Sequence, residues 1–289
     1  MTMKMDKEKK PSSLWKDALK RFMRNKTAVV SFCVLVVLAL MAAFAPFVAP
    51  YDPYETDMKS VKATPSAEHW LGCDENGRDI LSRLIYGARI SLTVGFLSVA
   101  ISVTIGAFIG MVSAFYGGAV DAVLSRLMEI ISSFPSVLLA IIFMSVFGRG
   151  IENAIIAVAL FGIPGPARIV RSATLSVQEN DYITAARAIG CSNLTIILRH
   201  ILPNIMAPII VNATMSVSGA ILSTAALGFL GLGVQPPTAE WGYMLSNGKN
   251  FVFTAPHLIL FPGMAIAITV LSFNLLGDGL RDALDPRLK

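Results

Sequence analysis

The sequence predicts an all-α integral membrane protein with six transmembrane helices. Three observations carry that prediction. Of 289 residues, 54% are Ala, Val, Ile, Leu, Met, Phe, Trp, Tyr or Cys and 15% are charged, against about 25% charged in soluble domains. The charges are segregated, leaving uncharged runs long enough to cross a bilayer. The basic residues gather on alternate connections, the pattern of a chain threaded with one orientation. This composition excludes an ordinary soluble enzyme and a disordered chain, which would be poor in Val, Ile and Leu. It also excludes a disulfide scaffold, because the three cysteines, Cys33, Cys73 and Cys191, lie far apart.

Residues 1–26 form a basic segment with nine Lys/Arg against three Asp/Glu, the mark of a cytoplasmic anchor beside a span. Residues 27–50 are the first transmembrane helix. Its apolar stretch of about 20 residues exceeds the 7–15 of a signal peptide. Residues 51–88 read as an extracytoplasmic loop, and the stretch 51–89 carries 12 charges, enough for a small folded cap. Residues 89–278 read as a five-helix core, with uncharged runs at 90–120, 130–148, 153–167, 201–239 and 250–277. The 153–167 run is short of a full crossing unless Arg168 snorkels to the interface.

Pro135 lies inside the third run and predicts a kink there. A helix over 203–233 would be about 46 Å long at 1.5 Å per residue, so the fifth span should be tilted, kinked or partly re-entrant. Residues 279–289 are the tail. Six crossings put both termini on one side. With that side cytoplasmic, the inner segments hold 17 of the 24 Lys/Arg. The net charge of +5 then speaks of orientation and anionic lipid, not of nucleic acid.

The stretch 172–203, between spans four and five, is too polar for a bilayer. Asp181 can accept from the free amides that open a helix. Tyr182, Ala185, Ala186 and Ile189 then share one face, and Gly190 suits the left-handed residue that closes it. Ser192 or Asn193 caps the next helix, which enters span five through Pro203. A short capped helix with a small-residue face fits either docking onto another protein or a plain amphipathic connector.

The run Tyr182-Ile-Thr-Ala-Ala-Arg-Ala-Ile-Gly190, followed by Arg199-His-Ile-Leu-Pro203, resembles the EAA loop of ABC-importer permeases. Leu71-Gly-Cys-Asp74 with Gly77-Arg-Asp79, Ala225-Ala-Leu-Gly-Phe-Leu-Gly-Leu-Gly233 and Asn274-Leu-Leu-Gly-Asp-Gly-Leu-Arg281 are similar to the C-type permease of dipeptide, oligopeptide and nickel importers. The resemblance covers nearly the whole chain. It implies an EAA-type coupling helix between spans four and five that engages an ATPase through Tyr182, Thr184, Ala185, Ala186, Arg187, Gly190 and Pro203. It also implies a homologous second permease, two ATPase subunits carrying ATP and Mg2+, an extracytoplasmic substrate-binding protein, and a bacterial or archaeal cell membrane. Cargo on this reading is a di- or oligopeptide, with nickel or a nickel chelate as the alternative. The chain departs from the pattern at Thr184, where Glu is usual, at His200, where Ile is usual, at Thr224, where an acid is common, and at Cys73, where Thr is commoner.

No phosphate cradle G-x-x-x-x-G-K-[ST] occurs, so on this reading the energy comes from another polypeptide and the chain catalyses nothing. His69, His200 and His257 are widely separated and no H-E-x-x-H occurs, so no metal site is expected. Six polar residues on span five, Asn212, Thr214, Ser216, Ser218, Ser223 and Thr224, either line an aqueous path or bond neighbouring helices. A stand-alone channel or secondary transporter is the rival class. It lacks the mid-span acids that proton coupling needs and has no use for a docking helix.

Overall fold

The computed structural model describes residues 14–284, with side chains from residue 18. Residues 1–13 of the basic segment 1–26 and residues 285–289 of the tail 279–289 lie outside the described residues. Helix α1 (Leu14–Arg24) is followed by the Asn25 cap, whose side chain accepts from the Ala28 amide, and by the first span, α2 (Lys26–Ala43). A single turn, α3 (Ala45–Val48), leads into the cap. The second span, α4 (Ile80–Tyr116), is 37 residues long, or about 55 Å. Its first turns therefore lie within the 51–88 segment read as loop.

The third predicted span is a broken pair, α5 (Gly118–Ser132) and α6 (Ser136–Phe147), bent by 84° at the break. The expected kink at Pro135 is therefore a full interruption. Ser133 and Phe134 leave the helix and Pro135, unable to donate an amide, restarts it. Among the described residues five helices are long and apolar enough to cross a membrane, and the bent pair makes six if it counts as one span. Helix α6 alone, at 12 residues, covers only about 18 Å.

Helices α7 (Ile151–Gly162) and α8 (Pro164–Gln178) make the fourth span, with Pro164 at the position where its missing amide costs nothing. The polar stretch between spans four and five follows as α9 (Asp181–Ala188) and the single turn α10 (Asn193–Thr195). A π-turn (Ile196–Ile201) and a 3-10 turn (Leu202–Ile205) then lead into α11 (Met206–Phe229). The fifth span is thus a broken rod and not one 46 Å helix. Helix α12 (Trp241–Gly248) is a short helix between the last two spans, and α13 (His257–Leu284) is the last span.

Span two is the axis. Its Gly106 and Gly110 face α8 so closely that a Cβ on Gly106 would lie 2.8 Å from the Ile163 carbonyl oxygen, and one on Gly110 2.8 Å from the Arg171 amide. Two glycines four apart let the backbones touch, which is how helices associate where lipid offers no hydrophobic drive. The larger apolar cluster joins α2, α4, α11, α12 and α13 around Ile221, Trp241 and Leu258. A second, at the other end, joins α4, α8, α9 and the start of span five around Ile183, Ile196, Ile201 and Ile205.

The outer cap folds on its own charges. Asp74 accepts from Arg78 Nε at 2.7 Å and lies 3.3 Å from Arg83 Nε. Arg83 also donates to the Pro53 carbonyl at 2.9 Å. Asp79 caps α4 through the Ser82 amide at 2.7 Å and holds His69 Nδ1 at 3.0 Å. Arg83 is 1% exposed, a burial tolerable for a guanidinium only because it is paired and hydrogen-bonded. Glu75 accepts from Asn247 Nδ2 at 2.8 Å, which ties the cap to α12.

Candidate functional site

The site has two parts: the short helix α9 and a cavity in the bundle. The cap of α9 is Asn180, one residue before the Asp181 that the sequence suggests. Asn180 makes no side-chain bond into α9. Its amide turns back to the carbonyls of Ser176 (3.3 Å) and Val177 (2.9 Å) and so closes α8. Asp181 lies in the first turn, where its charge favours the helix dipole. At the other end Gly190 has φ +83. The Cys191 amide donates to Ala186 at 3.1 Å and the Gly190 amide to Arg187 at 3.0 Å, the paired bonds of a Schellman close.

Of the stripe Tyr182, Ala185, Ala186 and Ile189, only Ala186 is buried. Ile183 and Ala186 point inward, at 1% and 5% exposure. Tyr182, Thr184, Ala185, Arg187 and Ile189 are exposed, Ile189 at 80%. The bundle takes the i, i+3 pair 183/186, leaving Tyr182, Ala185 and Ile189 as a free apolar stripe. The Arg187 guanidinium stands 5.4 Å over the Phe115 ring at the end of span two, a cation–π geometry. Pro203 sits exposed in the 3-10 turn below span five.

The six polar residues of span five split. Ser216 and Ser223 line a cavity of about 260 Å³. Thr214 donates to the Ile210 carbonyl at 2.9 Å and Thr224 to the Ala220 carbonyl at 2.9 Å, while the single Ser218 hydroxyl proton is shared between the Met215 carbonyl and Asn274 Oδ1, 2.7 Å from each. These three satisfy their hydroxyls inside the bundle. Asn212 Oδ1 is buried without a partner, in a separate groove beside Arg281. The cavity also takes Ser98 and Ser102 of α4 and Ser136 of α6, which sequence reasoning missed. The i, i+4 spacing of Ser98 and Ser102 on one helix face was the available signal. No ionisable side chain lines this cavity.

Two outer groups show what the fold does to charge. Burial raises the Glu240 carboxyl above its ordinary range, although it accepts from the Gly242 and Tyr243 amides at 2.8 Å each and from Ser91 at 3.3 Å. Burial, with Asp79 and Asp74 beside it, pushes the free Cys73 thiol up to about 11. Such a thiol is unreactive. Among the described residues no group of three His, Cys, Asp or Glu is placed to hold a metal ion.

Residues 102–289 match the family described as the binding-protein-dependent transport system inner membrane component. The chain belongs to that family. Residues 13–65 match the N-terminal transmembrane domain of oligopeptide transport permease C, so this permease is of the C type found in ABC importers. It is 47% identical over 277 residues to the dipeptide transport system permease protein DppC of Alkalihalophilus pseudofirmus, covering 96% of this chain and 91% of the relative. It is 42% identical over 289 residues to the glutathione transport system permease protein GsiD of Pectobacterium atrosepticum, covering 100% and 96%. An inward-facing structure of the MetNI methionine ABC transporter superposes on the permease with a TM-score of 0.59 at 20% identity, over 70% of this chain and 96% of that one. At that identity the likeness is one of fold.

Proposed function

We propose that this ABC-importer permease forms half of the translocation path for di- and oligopeptides, paired with a different, homologous permease. The observation that carries the reading is α9: a separately capped helix whose apolar stripe Tyr182, Ala185 and Ile189 is left uncovered while Ile183 and Ala186 anchor it to spans two and four. A face of small and apolar groups on a firmly seated helix suits insertion into a groove on an ATPase. Two such ATPases, holding ATP and Mg2+, grip α9 and its counterpart. Their closure on ATP moves α9 with the ends of spans two and four. The bundle rocks, and the path opens to one side and then the other.

Both termini are cytoplasmic on this reading, which follows the excess of Lys/Arg on the α9 side. A substrate-binding protein delivers cargo to the opposite face, formed by the cap 51–79 and α12. Ser98 and Ser102 donate their hydroxyls to the Ile155 and Val99 carbonyls at 3.1 Å each, while Ser216, Ser223 and Ser136 offer hydroxyls and no charge to passing cargo. That suits a peptide backbone whatever its side chains, and it asks little of this subunit in choosing among them. The relatives named for dipeptide and glutathione transport, the latter itself a tripeptide, support peptide cargo. None of the relatives reported above is named for nickel.

The test is native mass spectrometry of the assembly drawn out through a tag on this chain, with its binding protein retained. The expected result is one second permease, two ATPase copies and a peptide mass on the binding protein. A homodimer or a lone chain without an ATPase overturns the architecture. A metal or chelate mass on the binding protein overturns the cargo.

A further inference from the structure

Helix α5 is attached to the bundle in an unusual way. It opens on Gly117, its cap, and Gly118, its first residue, both at positive φ (+62 and +51) with nothing within 4 Å of either Cβ position. It ends at the 84° break before α6. Between these two joints only Met128 of its 15 residues is buried. A cavity of about 320 Å³ lies between it and spans two and four. An element with so little packing is held by whatever polar ties it makes.

Those ties run to α8. Asp121, in the first turn of α5, takes a two-pronged bond from Arg171: Nε donates to Oδ1 at 2.6 Å and Nη2 to Oδ2. Ser113, at the end of span two, and Ser125 donate to the same carboxylate. At the far end of α5, Arg168 Nη2 donates to Ser132 Oγ at 2.9 Å. Arg168 and Arg171 are three apart on α8, which ends seven residues later at Gln178 and turns straight into α9. On its other side α5 leads into α6, whose Ser136 and Ala140 line the 260 Å³ cavity.

We infer that α5 is a transmission strut, with Asp121–Arg171 as its pin: it carries the movement of α8 and α9 to the α6 wall of the path. The inference rests on the importer reading above. The planar guanidinium held at two points fixes orientation as well as distance. The double-glycine joint lets α5 swing as one body with α8. Without the pin, α9 still moves but α6 no longer follows.

The experiment compares Asp121→Asn, Arg171→Gln and the exchange Asp121→Arg/Arg171→Asp in the reconstituted assembly with both permeases, the ATPases and the binding protein, using radiolabelled dialanine. Each single variant is expected to assemble and turn over ATP within twofold of wild type while uptake per ATP falls at least tenfold. The exchange is expected to recover at least half of it. Wild-type uptake per ATP in both single variants, or an assembled exchange no better than either, overturns the strut. A second measurement needs no assembling single variant. Nitroxide labels at the exposed Leu127 and Leu175, with Cys33 and Cys191 replaced, report the α5–α8 distance in the otherwise native chain. That distance should stay constant between nucleotide-free and ATP-bound states, and a change overturns the strut. If wild type shows no ATP-dependent dialanine uptake, the importer reading falls and the strut with it. Failure in the variants alone removes only the strut.

Discussion

Gly190→Val isolates the mechanical role of α9. At φ +83 a Cβ on residue 190 meets nothing within 4 Å, so the substitution costs no steric overlap with the rest of the bundle. Its whole penalty is the left-handed backbone, about 1–2 kcal/mol for a side chain there, which is about 5–30-fold in the population of the closed helix end. The affected bonds are known: the Cys191 amide to Ala186 and the Gly190 amide to Arg187. Hydrogen exchange at Cys191 should therefore quicken by about that factor, while amides in the middle of α8 are unchanged. Uptake should fall while ATP turnover persists, because a frayed α9 slips instead of levering. Gly190→Asn is the control, since Asn tolerates the left-handed region. Exchange and uptake unchanged in the Val variant, or equal losses in Val and Asn, would refute the argument.

Four further outcomes are expected. Ile183→Ala removes a side chain 1% exposed and should destabilise the inner cluster by about 2–5 kcal/mol, seen as a lowered melting temperature in detergent. Ile189→Ala, at 80% exposure, should leave melting within about 0.5 kcal/mol of wild type yet reduce ATPase retention on a tagged chain. Burial raises the Glu240 carboxyl from its ordinary value of 4.5, so its contribution to stability is full below that value. It is lost as pH rises toward the higher folded value, and Glu240→Gln should flatten that part of the melting-versus-pH curve. Thr184→Glu adds an exposed acid near the start of α9, where the dipole favours it, and should preserve uptake. Loss of ATPase retention in that variant would show a partner surface fitted to Thr.

The helical runs were legible because charge is so costly in hydrocarbon that its absence marks a span almost residue by residue. Gly190 and Ser192 were legible because their conformations are local. The direction in which α9 buries its side chains was not, because Tyr182, Ala185 and Ile189 are as apolar as Ile183 and only the position of spans two and four decides between them. The break at Ser133–Pro135 was visible as a proline, but its 84° angle depends on what α5 and α6 each pack against. The burial of Arg83 and Asp74 was equally hidden. Twelve charges in one segment read as a small folded cap, but which of them it buries depends on distant partners such as the Pro53 carbonyl. Ser136 was overlooked for the same reason, since its neighbours across the cavity come from three other helices.

The Glu75–Asn247 bond closes the outer cap across 172 residues of chain, and His257, beside Cys73, arrives later still. At about 5–20 residues per second of synthesis, the cap waits roughly 10–35 s for its lid. Through that interval Asp74, Arg78 and Arg83 have each other but no roof. Until α12 and the start of α13 are laid down, the charge cluster of the cap therefore lacks the segments that cover it.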